Sequence, residues 1–264
     1  MCLMQYFRNF VLGSKMGPKA LKIRLDQLLV SHGLVENPSK ARARIMAGDV
    51  IVNDHRVDKP GEKFSPSACI RLRNNSHPFV SRGALKLEHA LLSWPYELTH
   101  AICMDVGAST GGFTEVLLEA HASKVYAIDV GYGQLAQKLR TDQRVINLER
   151  THILQLDPQI LDPRPSVVVV DVSFISLTKI LERIVALMAP AGIIYALIKP
   201  QFEVGRAFIT KGGIVKDQEA HWAAVDQVIR LSCDLGLKPR GIEASPILGA
   251  KGNVEFLVAL LKSS

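Results

Sequence analysis

Residues 101–113 read Ala101-Ile102-Cys103-Met104-Asp105-Val106-Gly107-Ala108-Ser109-Thr110-Gly111-Gly112-Phe113. An apolar run that passes directly into glycines and small hydroxylic residues predicts a buried strand (101–106), a tight turn and the start of a helix (112–120). Glycines at such a turn let the backbone approach a ligand at the carboxyl edge of a sheet. Two phosphate-binding loops are excluded by spacing. Ala108-Ser109-Thr110 separates Gly107 from Gly111, so G-x-G-x-x-G is not present, and no G-K-[ST] follows.

The neighbouring segments extend this pattern. Residues 124–130 predict a second strand closed by Asp129, where an acid can accept hydrogen bonds from both hydroxyls of a ribose. Val167 to Val170 are continuously β-branched, as befits a strand covered on both faces, and 193–198 predict another. Segments 241–244 and 254–261 suggest a closing strand pair around the turn-rich loop 245–252. A helix over 81–94 precedes the first strand. This βαβ succession predicts an open, mainly parallel sheet with helices on both faces. The longest apolar stretch, 184–198, is broken by Pro190 and Gly192. It is too short for a spanning helix of about 20 residues and reads as helix, turn and strand.

Charge divides the chain. Of the net +7 over 264 residues, 1–16 carry +2, 17–80 carry +5, and 81–264 are balanced. That asymmetry suggests two domains, the first meeting an acidic partner such as nucleic acid. Cys2, Cys69, Cys103 and Cys233 form no C-x-x-C pair. Neither a disulfide framework nor a cysteine metal site is readable, which points to a reducing cytosol. Residues 1–13 lack the clean apolar run of a signal peptide. Residues 1–20 are expected to be a flexible extension, with Met16 an alternative start.

In the basic part, Leu25, Leu28 and Leu29 share one helix face, and Gly33 ends that helix. A second helix is expected from Asn37-Pro38-Ser39, capped by Ser39, burying Ala41, Ile45 and Met46 and carrying Lys40, Arg42 and Arg44. Gly48 stops it before a strand at 50–52 and a turn at Asn53-Asp54. The run R-L-D-Q-L-L-V…S-K-A-R-A-R-I-M-A-G-D-V-I-V-N resembles the alpha-L RNA-binding motif, or S4-like domain. The resemblance implies an α+β module over 21–80 that grips structured RNA by shape and phosphates, with Arg24, Lys40, Arg42 and Arg44 as its contacts and Arg82, just beyond it, as a further RNA contact.

The stretch D-x-G-x-x-x-G-G resembles the S-adenosylmethionine motif of class I methyltransferases. Asp105, Gly107, Ala108, Ser109, Thr110, Gly111, Gly112, Phe113, Asp129 and Asp171 are then the expected cofactor residues. A strand-end turn needs no ligand, but Asp105 before it and Asp129 beyond the next helix favour one. Amino-directed base methylation calls for Asx-Pro-Pro-aromatic after the fourth strand, where this chain has Asp171-Val172-Ser173-Phe174. Carbon-5 methylation needs an activated thiolate, and neither Cys103 nor Cys233 lies in a loop suggesting one. Oxygen methylation remains, in which a hydroxyl must be oriented, deprotonated and stabilised as an alkoxide.

Lys86, Asp171, Lys199 and Glu255 are the candidate catalytic set. Lys86 falls in the helix before the first strand, Asp171 and Lys199 end the fourth and fifth strands, and Glu255 lies in the last. Their order resembles the Lys-Asp-Lys-Glu tetrad of FtsJ-like ribose 2′-O-methyltransferases. More closely, residues 22–261 resemble the TlyA family, historically labelled hemolysin A, through S-R-G-A-L-K-L (81–87), D-V-G-A-S-T-G-G-F-T (105–114), D-V-S-F-I-S-L (171–177), K-P-Q-F-E (199–203), K-G-G-I-V-K-D (211–217), S-P-I (245–247) and G-N-V-E-F (252–256). One departure is Glu149-Arg150-Thr151-His152, where many relatives have Asn after Thr. The resemblance implies a Rossmann-like, seven-stranded class I methyltransferase domain over 81–264. It further implies a cytoplasmic enzyme that methylates cytidine ribose in ribosomal RNA with S-adenosylmethionine and without a metal. Lys199 would sit at the 2′-oxygen, either stabilising an alkoxide or acting as base. A membrane-active hemolysin and a non-catalytic RNA-binding assembly factor are the alternatives. The glycine-rich, basic loop 210–217 is a further candidate RNA contact.

Overall fold

The computed structural model describes residues 22–263 except 36, 54, 67 and 73–78. The extension 1–20, the Met16 start and the Asp54 half of the expected turn lie outside the described residues. Two compact units separate, within Met1–Pro78 and Phe79–Ser264.

In the first unit, β1 (Ile23–Arg24) leads into α1 (Leu25–Ser31) and α2 (Pro38–Met46), followed by β2 (Val50–Val52), β3 (His55–Val57), β4 (Lys63–Phe64) and β5 (Ile70–Leu72). The sheets are antiparallel, β3-β2-β5 and β1-β4. Leu25, Leu29, Ala41, Ile45, Val50, Val52, Val57 and Leu72 close the core between helices and strands. Arg24 belongs to β1 and the entry of α1, not to the helix body. The cap of α2 is Asn37, whose side chain accepts from Lys40 N–H at 2.9 Å. Pro38 takes the first helical position, where its missing N–H costs nothing, and this moves the cap one residue before it instead of to Ser39. Met46, expected inside, is 69% exposed.

The second unit runs α3 (Ala84–Ser93), β6 (Ile102–Val106), α4 (Gly112–Glu119), β7 (Lys124–Ile128), α5 (Gln137–Arg140), β8 (Val145–Leu148), β9 (Val167–Val170), α6 (Leu181–Leu187), β10 (Gly192–Ile198), α7 (Pro200–Glu203), α8 (Gln218–Asp234), β11 (Leu237–Ala244) and β12 (Phe256–Lys262). Its seven-stranded sheet has the order β11-β12-β10-β9-β6-β7-β8. Strands β10, β9, β6, β7 and β8 pair in parallel, while β12 runs antiparallel between β10 and β11. Every residue of β9 and β10 is buried. Alternation explains this. Val168, Val170, Ile194 and Ile198 face a core closed by α6 and α8, whereas Val167, Val169, Ile193 and Leu197 face one closed by α3 and α4. Each such side chain contributes about 1.5–3 kcal/mol of burial.

Connections leave β6 toward β7 on one side, and the chain returns to β9 on the other. That reversal opens a crevice at the carboxyl ends of β6 and β9. Because β12 is antiparallel, its first residue, Phe256, pairs with the last of β10, Ile198. Glu255 therefore precedes the strand instead of lying in it, and shares the functional edge with Lys199.

Candidate active site

The turn after β6 is built on left-handed backbone at Gly107 (φ +89°), Ser109 (φ +49°) and Gly111 (φ +97°). A Cβ on Gly107 would stand 2.5 Å from the Asp171 carbonyl oxygen, so only glycine allows the turn to lie against the end of β9. Ser109 and Thr110 face solvent, whereas Ala108, Gly111, Gly112 and Phe113 are buried. Asp129 follows β7 directly and accepts the Ser109 N–H at 2.8 Å and the Gly131 N–H at 2.7 Å. Both oxygens keep lone pairs for further donors. Asp105 is fully buried and takes the Thr114 hydroxyl proton at 2.6 Å on Oδ2; Oδ1 has no hydrogen-bond partner. Burial pushes its carboxyl up to about 7, against the Thr114 hydrogen bond and with help from Asp171 and Asp129.

The four candidate catalytic residues converge. Lys86 Nζ donates to Glu255 Oε2 at 2.6 Å and lies 3.8 Å from Asp171 Oδ2. Lys199 Nζ is 2.6 Å from Asp171 Oδ1 and donates to Ser173 Oγ at 3.1 Å. Lys86, Lys199 and Glu255 are buried and Asp171 is half-buried. Two ammonium groups and two carboxylates thus balance around a cavity of 380 Å³ that Lys86, Lys199 and Glu255 line. Ser173 was not singled out by sequence. Its role depends on the path of the loop after β9, which no periodicity encodes.

Other supports were equally silent in sequence. Glu203, at the end of α7, accepts the Ser176 hydroxyl at 2.5 Å and the Leu177 N–H at 2.7 Å. This clamps the segment after β9 to the segment after β10, and burial raises the Glu203 carboxyl despite those donors. Buried Asn253 accepts from Val215 N–H at 3.1 Å and donates to the Gly213 and Ala250 carbonyls at 2.9 and 3.1 Å. It ties loop 210–217 to the approach of Glu255. Asp217, at the end of that loop, caps α8. Phe174 is 93% exposed with φ +66°, 5.4 Å from the Phe202 ring.

Arg82 lines the same cavity, placing it beside the tetrad. In the first unit, Arg24 donates to both oxygens of buried Asp26, at 3.0 and 2.8 Å, and Arg42 joins them at 3.3 Å. These donors hold the Asp26 carboxyl below its usual range, the Arg24 hydrogen bond foremost. Arg44 pairs with Asp49 at 3.4 Å, and Lys40 lies on the first turn of α2. The arginines are thereby fixed to the fold with much of their side chains still at solvent. His152 Nδ1 accepts the Leu154 N–H at 3.2 Å and so caps a single helical turn. Burial, reinforced by Asp105, pushes the Cys103 thiol up to about 12, so it is no nucleophile at neutral pH. Among the described residues no group of His, Cys, Asp and Glu could hold a metal ion, and no helix is long and apolar enough to cross a membrane.

Residues 79–262 match the family model described as FtsJ-like methyltransferase, and 23–68 match the S4 domain. A candidate rRNA methyltransferase, YqxC, from Bacillus subtilis is 45% identical over 240 residues, covering 90% of this chain and 85% of that protein. The 16S/23S rRNA (cytidine-2′-O)-methyltransferase TlyA of Mycobacterium tuberculosis is 41% identical over 242 residues, 91% of this chain and 90% of its own length. The solved structure of a candidate hemolysin from Streptococcus thermophilus superimposes with a TM-score of 0.72 at 41% identity, covering 92% of this chain and 89% of that one.

Proposed function

The chain belongs to the FtsJ-like methyltransferase family, with an S4 domain ahead of the methyltransferase domain, and on that premise we propose that it methylates the 2′-hydroxyl of cytidine ribose in ribosomal RNA, using S-adenosylmethionine. The observation that carries the reading is the state of Lys199. An ammonium has three N–H donors; Ser173 Oγ takes one and Asp171 Oδ1 stands 2.6 Å away as counter-ion, leaving donor capacity for an oxygen that enters the cavity. That donor orients the 2′-hydroxyl and stabilises the negative charge that develops as its proton leaves. Lys86, itself held by Glu255, pairs with Asp171 from the other side, so truncating either Lys86 or Glu255 should misplace Lys199 without touching the oxygen.

When bound, S-adenosylmethionine supplies a methyl group activated by its sulfonium charge. The residues present suit it. Asp129 would hold the ribose hydroxyls, Gly107 to Thr110 would pass beneath, with Gly111, Gly112 and Phe113 shaping the wall and buried Asp105 supporting the turn through Thr114, and Asp129 and Asp171 would favour its positive charge. Residues 21–80, with Arg24, Lys40, Arg42 and Arg44, would hold the RNA by its phosphates, and Arg82 would meet it at the cavity. A ribosomal substrate makes this a cytoplasmic enzyme.

The test is incubation with radiolabelled S-adenosylmethionine and separated ribosomal subunits lacking the modification, followed by mapping of the label. Label on a cytidine ribose supports the proposal; no transfer to either subunit overturns it. The hemolysin label of the Streptococcus relative makes a different prediction, leakage of liposomes by purified protein, which a dye-release assay reads directly.

A further inference from the structure

We propose that Glu203 is a positioning residue for methyl transfer: by gripping Ser176 and Leu177 it fixes the loop that carries Ser173, and through Ser173 the ammonium of Lys199. This rests on the reading of Lys199 as the donor at the 2′-oxygen. Two short segments run side by side here and are joined at both ends. Lys199 precedes α7 and Glu203 closes it, about one helical turn away. On the facing loop, Ser173 and Ser176 are similarly spaced. At one end Lys199 Nζ donates to Ser173 Oγ at 3.1 Å. At the other, Glu203 accepts the Ser176 hydroxyl at 2.5 Å and the Leu177 N–H at 2.7 Å. The Phe174 and Phe202 rings stand 5.4 Å apart between them.

The loop needs that second fastening. Residues 171–176 form neither helix nor strand, so no ladder of backbone hydrogen bonds keeps Ser173 in register. Phe174 holds φ +66°, a left-handed conformation that costs an aromatic residue energy, and its ring is too exposed for packing to offset it. Such a conformation persists only where the surroundings impose it. The backbone of Lys199 is already set by the end of β10, so the partner that needs placing is Ser173. Leu177 is buried in the core. Glu203 joins this firm end of the loop to the segment that begins at Lys199. A bidentate grip on two successive residues fixes the orientation of the turn as well as its position. The contact does not need a charge, because a serine hydroxyl can donate or accept. A glutamine at 203 can take the Leu177 N–H on its carbonyl and donate its amide to Ser176.

The experiment is a double-mutant cycle on single-turnover methyl transfer to ribosomal subunits, comparing wild type, Glu203→Ala, Ser173→Ala and the two combined, with Glu203→Gln alongside. Glu203→Ala should slow transfer about tenfold, and by no more than Ser173→Ala does, since it acts through that residue. KM for subunits and cofactor affinity by calorimetry should stay within about twofold of wild type, which marks a loss confined to the chemical step. The combined variant should be no slower than Ser173→Ala, and Glu203→Gln should recover most of the rate. Losses that multiply, an absence of loss in Glu203→Ala, or a loss in Glu203→Gln as large as in Glu203→Ala overturn the proposal. If Glu203→Ala does not fold, Ser176→Ala removes one side of the same grip from the loop. Its loss should likewise fail to multiply with that of Ser173→Ala, and multiplication there overturns the proposal. If wild type labels no RNA, the ribose-methylation reading itself falls, an outcome separate from a failed cycle.

Discussion

Lys199→Ala removes the donor assigned to the 2′-oxygen, so methyl transfer to ribosomal subunits should vanish while calorimetry shows unchanged cofactor binding. Ser173→Ala removes one of two anchors of the same ammonium. A hydrogen bond from a charged group is worth about 1.5–3 kcal/mol net, so single-turnover transfer should slow roughly ten- to a hundredfold. Lys86→Met leaves Glu255 buried and unpaired. The expected loss is about 3–5 kcal/mol in denaturant unfolding, largely recovered by adding Glu255→Gln. Asp105 gives a pH signature. The folded state keeps its proton to about pH 7, whereas an unfolded chain releases it near 3.9. The folded form binds the extra proton between those values, so the contribution of this group to stability falls as pH rises from about 4 to 7. Asp105→Asn should flatten that slope in urea melts; an unchanged slope would refute the assignment. Asp171 and Lys199 were legible because a charge directly after a buried apolar run stands out, whereas Lys86 and Glu255 entered only through the order that resembles the Lys-Asp-Lys-Glu tetrad. Ser173, Glu203 and Asn253 were not legible, because their contacts are set by where loops bring their partners.

At the level of elements, Gly107→Ala places a Cβ against the Asp171 carbonyl and forces an alanine into left-handed backbone. Backbone strain of about 1–3 kcal/mol plus that clash should distort the turn, and cofactor affinity measured by calorimetry should fall with it. The buried strand β9 was legible because four successive valines suit a strand covered on both faces, and β10 because its apolar run is of strand length and follows Pro190 and Gly192. Strand β8 was not, since Ile146 is exposed and Asn147 interrupts the apolar pattern of a strand at the sheet edge. The start of α2 was misplaced by two residues, Ser39 for Asn37, because serine and asparagine cap equally well and only the proline between them decides. Asn37→Ala should cost about 1 kcal/mol in unfolding of the first unit.

On the scale of the whole molecule, all of the net +7 lies within Met1–Pro78, and the second unit is neutral. Deleting residues 1–80 should therefore weaken RNA binding far more than cofactor binding, and should flatten the dependence of RNA affinity on salt. Equal losses in filter binding and calorimetry would show instead that the deletion unfolds the second unit. Within that unit, the ion pair between Lys86 and Glu255 joins positions 169 residues apart. Translation reaches Lys86 169 residues before it reaches Glu255. A growing chain can fold its leading strands and still be inert, since its final acid is delivered only with β12.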